Sequence, residues 1–291
     1  MLFRSGVAVV VLNIVVLGVR GWRWHAIISA TQPVPLATVT LATMVGHMAN
    51  NLLPARGGEL VRVLVLGRGG RLSKTMLLGS LVVDHTLEGF SLVLVLLCLP
   101  WLFPTPAWLT TVTLTLGGVT LTFIVAAVVV LSLSGSGRAR RLRLPASWLP
   151  SIESAVTGLG EGMQTFRHWR RAGGVVGIAL LAWLLQGVMV YLCLIATHLE
   201  LDFPHALFVL AAINVAVLIP GAPSGVGPFE FAAIVALGAF GVSKTQGLSF
   251  GLLYHFIQIV PTIAVGLIAL SVLGMRFSDL GKQHDGELPA A

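Results

Sequence analysis

Three ionisable residues interrupt one apolar run: Asp84, His85 and Glu88. Asp84 and Glu88 are four residues apart, so a helix would place them on one face, with His85 beside it. Glu59 and Arg62 form an i, i+3 pair, and Arg56 stands three residues before Glu59. His255 and Gln258 lie together in the last apolar run, ahead of Pro261. Asn51 precedes the Arg56–Arg62 group, and Asn214 and Glu230 flank a second Pro/Gly-rich stretch. Guanidinium groups bind phosphate through a planar, two-donor fork. Carboxylates and imidazoles balance charge or carry protons. Arg56 and Arg62 are therefore candidates to hold an anion, and Glu59, Asp84, Glu88, His85 and His255 to compensate or shuttle charge. A plainer reading stands beside this one: Arg56 or Arg62 pairs with Glu59, Asp84 or Glu88 and only holds the segment together. Both stay open at this point. No H-E-x-x-H, paired-Cys, G-x-S-x-G or Walker A pattern occurs, so neither a metal, a cofactor nor enzymatic catalysis is expected. His25 and His47 read as satisfied interface or core histidines.

These residues sit in a very apolar chain. Of 291 residues, 56% are hydrophobic and 10% charged (18 Lys+Arg, 11 Asp+Glu), and mean hydropathy is +0.94. A soluble domain needs about a quarter of its residues charged, so a soluble enzyme is excluded. The two cysteines, Cys98 and Cys193, lie in apolar runs and read as small hydrophobes rather than a disulfide framework. The excess of basic residues, a net charge of +7, falls between apolar runs. It points to orientation against a cytoplasmic leaflet rather than to nucleic acid.

A bilayer core of about 30 Å takes about 20 apolar helical residues. Five runs approach that length: Ser5–Val19, Thr75–Leu99, Trp108–Leu133, Gly174–Thr197 and Thr245–Leu273. The first has no small-residue cleavage site and reads as a retained anchor. Two further segments, Leu36–Gly67 and His205–Gly241, are apolar but broken by Pro and Gly. Freed backbone groups are tolerated in lipid only where protein or water covers them. Each segment reads as a re-entrant hairpin shaped by Pro54, Gly57 and Gly58 in the first, and by Pro220, Gly225, Gly227 and Pro228 in the second. The expected fold is thus all-α and polytopic, one domain over 1–275, with about five spans and two hairpins and a polar tail over 276–291. With the N-terminus outside, Arg20, Arg23, Arg68, Arg71, Lys74, the Arg138–Arg143 group, Arg276 and Lys282 fall on the cytoplasmic side and only Arg4 and Lys244 on the other, in agreement with the positive-inside rule. Pro145–Arg171 carries Trp148, Ile152, Val156, Leu159, Met163 and Phe166 at helical spacing and reads as an amphipathic surface helix.

The chain also repeats itself. Ser73-Lys74-Thr75 recurs as Ser243-Lys244-Thr245, and ten residues after each Thr comes a histidine, His85 and His255. Glu59 and Glu230 recur at nearly the same offset, each closing a Pro/Gly segment. The topology makes the first copy (about 5–99) enter from the cytoplasm and the second (about 174–273) from outside. Trp108–Arg171 links them. Such inverted repeats with broken helices are an architecture of alternating-access transporters, with the site at the repeat interface.

The hairpin residues resemble a known family. A-N-N-L-L-P-A-R-G-G-E-L-V-R (49–62) is similar to the first signature of the lysylphosphatidylglycerol synthase transmembrane region, also called the flippase-like domain family. L-I-P-G-A-P-S-G-V-G-P-F-E (218–230) resembles its second, Pro/Gly-rich signature ending in Glu. The similarity runs from about Arg20 to Leu273. The family usually carries an acidic-Arg-x-x-acidic pattern where this chain has Asp84-His85-Thr86-Leu87-Glu88, so His replaces Arg. The resemblance implies an inner-membrane protein of lipid translocation rather than of lipid synthesis. Its partner would be a membrane lipid with a phosphate-bearing head group. Two alternatives remain: a membrane enzyme acting on a lipid head group with Glu59 or Asp84 as general base, and a non-transporting partner of a lipid synthase or glycosyltransferase.

Overall fold

Long apolar runs without internal Pro or Gly clusters form long helices, and the two broken segments form pairs of short ones. The computed structural model describes residues 2–53, 57–68, 70, 72–103, 107–134, 157–218 and 223–276. In chain order the helices are α1 (Leu2–Ile28), α2 (Leu36–Leu52), α3 (Gly58–Gly67), α4 (Lys74–Cys98), α5 (Ala107–Ser134), α6 (Trp169–Ala196), α7 (Phe203–Ala216), α8 (Pro228–Gly238) and α9 (Lys244–Val272). The described residues contain no strand. Four helical stretches are long and apolar enough to cross a membrane: Gly6–Ile28, Lys74–Trp101, Trp169–Ala196 and Lys244–Val272. The fifth expected span corresponds to α5, a helix of 28 residues over Ala107–Ser134.

Local signals fix the helix ends. Ser73 caps α4 and Ser243 caps α9, each hydroxyl accepting from a backbone N–H three residues on. The two members of the repeated tripeptide thus do the same job. Asp202 and His205 form a reciprocal cap at the start of α7, and Pro228 opens α8 at a position where its missing N–H costs nothing. The 157–162 segment is helical and continues as a 3-10 turn over Met163–Arg167. It is docked into the protein rather than lying free on the surface. Thr31 donates to the Glu161 carbonyl, Thr165 donates to the Ile27 carbonyl, and Gly158 and Gly162 pack on Gly79. Trp148, Ile152, Val156 and the tail after Arg276 lie outside the described residues.

Two buried clusters mark opposite ends of the molecule. One joins Trp24 and Ile28 of α1 to Val39, Leu66, Leu77 and Leu270. The other joins Val9 and Val16 of α1 to Leu99, Leu194, Phe208, Leu237 and Phe250. The α2–α3 hairpin therefore starts and finishes at the end where α1 finishes. The α7–α8 hairpin starts and finishes at the other end, where Phe240 packs edge-on against His205 and Phe103. The tips meet between them: Ser224 Oγ donates to the Asn51 carbonyl at 2.9 Å.

Glycine makes the first hairpin narrow. Gly46 and Gly58 lie where α2 crosses α3, and a Cβ on Gly58 would overlap the Gly46 carbonyl. A Cβ on Gly46 would overlap the aliphatic stem of Arg62, which runs across the gap.

Candidate functional site

Between the hairpins lies a cavity of about 820 Å³. One wall is polar. Arg20 and Arg23 reach it from α1, Glu59 and Arg62 from α3, and Asp84, His85 and Glu88 from α4. Leu116, Val119 and Phe123 of α5, which packs against α4, add an apolar stretch to the same lining. Asn13, Asn214, Gln258 and Thr262 line the remaining part with neutral amides and a hydroxyl.

The charged wall is a connected network. Arg23 Nε donates to Asp84 Oδ1 at 2.7 Å and Arg23 Nη2 to Glu88 Oε1 at 2.8 Å. Arg62 Nη1 donates to Glu59 Oε2 at 3.0 Å and lies 3.6 Å from Asp84 Oδ2. Arg20 stands 3.5 Å from Glu88 and also donates to Gln186 on α6. The Trp183 indole N–H completes Glu88 at 2.8 Å. Arg23, Arg62 and Asp84 are at most 2% exposed. Charges this deep are costly unless paired, and each is paired here. The guanidinium groups still keep spare donors: among the described residues Arg62 Nε and Nη2, Arg23 Nη1 and Arg20 Nε have no hydrogen-bond partner. Beneath Arg62 the Trp24 ring supports the guanidinium, 4.2 Å from carbon to ring centroid.

The histidines of the two halves each meet the glutamate of their own half. His85 Nε2 lies 3.3 Å from Glu59 Oε2, with its side chain 47% exposed on the cavity. His255 Nδ1 lies 2.5 Å from Glu230 Oε1 and is buried. Both glutamates occupy the first turn of the second hairpin arm. Asn50 donates to the other Glu59 oxygen, as the Gly227 N–H does to Glu230.

The structure thus brings Asn51, Glu59, Arg62, Asp84, His85, Glu88, Asn214, His255 and Gln258 to one cavity, with Glu230 one bond behind it. Gly225 and Gly227 have φ of 76° and 94°, a region that favours glycine, and they turn the second hairpin. Gly57 precedes α3 as its cap. Pro54, Arg56 and Pro220 lie outside the described residues. Among the described residues no group of three or more His, Cys, Asp or Glu is placed to hold a metal ion.

One correction concerns α1. The expected loop position of Arg20 and Arg23 is overturned: α1 continues to Ile28, and both arginines point into the protein. Carboxylates on α4 compensate them there, so the helix need not stop at the first charge. Trp24 is fully buried beneath Arg62. His47 lines the cavity. Helical spacing was the signal available for the arginines, because Asn13, Arg20 and Arg23 recur at seven and three residues and share a face.

A polytopic helical bundle with a charged cavity between two short hairpins defines a class of membrane protein. The profile of the lysylphosphatidylglycerol synthase TM region matches residues 3–266, and the chain belongs to that family. No curated protein and no solved structure matches it.

Proposed function

We propose that the protein moves a phospholipid or lipid-linked phosphate head group between leaflets of a bacterial or archaeal plasma membrane. The observation that carries this is the mixed lining of the cavity. Arg62 offers two buried guanidinium nitrogens that have no partner among the described residues, and α5 adds Leu116, Val119 and Phe123 to the same lining. A lipid has the matching halves: a phosphate for the fork and acyl chains for the apolar stretch. The two hairpins, opening towards opposite ends and meeting at Ser224 and Asn51, support a re-entrant pair in an inverted repeat. Arg68, Lys74, Arg170, Arg171 and Arg276 gather at one end, which supports a cytoplasmic C-terminus and an outside N-terminus.

The test uses vesicles of phosphatidylethanolamine and phosphatidylglycerol with fluorescent phosphatidylglycerol as the probe. Arg62→Ala should abolish probe movement while the protein keeps its thermal melt, and Arg62→Lys should recover part. A stable Arg62→Ala protein moving the probe at the normal rate rules the reading out. Chemical change of the probe's head group by the pure protein would instead favour a membrane enzyme.

A further inference from the structure

The second hairpin holds a cluster whose hydrogen count is set by its acceptors. His255 Nε2 lies 3.1 Å from the Ser224 carbonyl oxygen. A carbonyl only accepts, so Nε2 carries a hydrogen. Nδ1 faces Glu230 Oε1 at 2.5 Å, and the other oxygen of Glu230 already accepts from the Gly227 N–H at 2.7 Å. One hydrogen must therefore lie between Nδ1 and Oε1. A neutral imidazole has one N–H and a carboxylate has none, so the pair holds one proton more than those two forms supply. Imidazolium with carboxylate and imidazole with carboxylic acid are the same count and the same zero net charge. The Phe229 ring, stacked on His255 at 4.1 Å and 8°, covers one face of the pair.

The same contact fixes the hairpin tip. Ser224 sits at φ 60°, a left-handed conformation that a residue with a side chain holds only when its surroundings impose it. Its carbonyl is held by His255 and its hydroxyl by the Asn51 carbonyl. Among the described residues the first half is arranged differently. Both Glu59 oxygens are already taken by Arg62 and Asn50, and His85 is open to the cavity.

We infer that Glu230 and His255 form a proton site whose occupancy latches the second hairpin to the first, so that movement of the lipid is coupled to uptake and release of one proton. This rests on the transport reading above. When the proton leaves to water in the cavity, which His255 lines, one of two contacts is left with a lone pair on each side: Nε2 against the Ser224 carbonyl, or Nδ1 against the Glu230 carboxylate. The hold on Ser224 is lost or weakened, and the tip is released from Asn51. The elements packed against α9 are α1, α2, α6 and α8. Besides Glu230 on α8, their titratable groups at this depth are Arg20 on α1, His47 on α2 and Cys193 on α6, with Tyr254 on α9 itself. Arg20 shares the cavity, where its positive charge favours release of the proton, and His47 lines the same cavity. Tyr254 and Cys193 are neutral neighbours.

The test places spin labels on cysteines at Leu60 of α3 and Phe231 of α8, both exposed, in a Cys98→Ser background and in nanodiscs of phosphatidylethanolamine and phosphatidylglycerol. Distances are measured from acid to alkaline pH over the range in which the protein stays folded. The otherwise unaltered chain should show one short population in acid and a growing longer one as pH rises. Glu230→Gln should hold the short population throughout, because its amide N–H donates to Nδ1 while Nε2–H still reaches Ser224, with no extra proton needed. Ser224→Ala should favour the long population at every pH. An unaltered chain with no pH response, or a Glu230→Gln chain with the full response, overturns the latch. Fluorescent phosphatidylglycerol movement in the same lipids separates the two readings. Distances that respond as expected while no lipid moves overturn transport and leave the latch standing. Lipid that moves while distances ignore pH does the reverse.

Discussion

Arg62 lies flat on Trp24, its guanidinium carbon 4.2 Å from the ring centroid, and the Trp24 indole N–H donates to Ser80 on α4. One aromatic residue of α1 thus supports the cation of α3 and ties α1 to α4. Trp24→Leu removes both functions, and Trp24→Phe removes only the hydrogen bond. The stacking contribution is about 0.5–2 kcal/mol. Thermal melting should rank wild type above Trp24→Phe and Trp24→Phe above Trp24→Leu. Equal melting of the two variants would mean that the stacked ring contributes nothing.

Arg23 is the centre of the network rather than its edge. Arg23→Ala leaves Asp84 and Glu88 buried with a missing partner, a change that costs about 3–5 kcal/mol in comparable pairs. The protein should lose most of its folded yield in detergent. Neutralising Asp84 and Glu88 together with Arg23, as Asn, Gln and Met, should restore much of that yield without restoring lipid movement. Recovery of movement by the triple variant would show that the network only holds the helices.

Gly46 and Gly58 leave no room for a side chain at the α2–α3 crossing. Gly58→Ala sets a methyl group against a backbone carbonyl that cannot move aside, whereas Gly46→Ala meets the flexible stem of Arg62. The first should destabilise the hairpin by a few kcal/mol, as overpacking does at about 1–3 kcal/mol or more. The second should keep the fold but displace Arg62, lowering phosphate-dependent lipid binding more than melting temperature. Unchanged binding in a folded Gly46→Ala protein would contradict that placement of Arg62.

Orientation is open to labelling. Cysteines at Arg68 and Glu200, both exposed and at opposite ends of the bundle, should react with a membrane-impermeant reagent from opposite sides of intact cells or vesicles. Arg68 should be the cytoplasmic one. Labelling of both from one side would overturn the topology.

Much of the site is legible in the sequence, because it is made of charges that lipid would otherwise expel. Glu59, Arg62, Asp84 and Glu88 can be picked out by type and helical spacing, and the repeated Ser-Lys-Thr and His pick out α4 and α9. The sequence stops the first span at Val19, because a charge after an apolar run reads as a loop. Only the fold supplies the α4 carboxylates that let α1 carry Arg20 and Arg23 onward. The contact of Ser224 with Asn51 is equally hidden, since it joins residues 173 apart in chain order. Trp24 is hidden for another reason: an amphipathic ring near a span end is as suited to an interface as to a cation.

Among the described residues, Arg20, Arg23 and Arg62 are set against Glu59, Asp84 and Glu88, so the formal charges of these six side chains cancel. On the transport reading, a phosphate would bind by exchange, taking the open edge of Arg62 and loosening carboxylates that already hold neighbouring donors. Such a site would be a poor trap, and a poor trap would release its cargo quickly. The paired arginines and carboxylates would add no net charge to the movement, so any response to a membrane potential would have to come from the proton shared by Glu230 and His255.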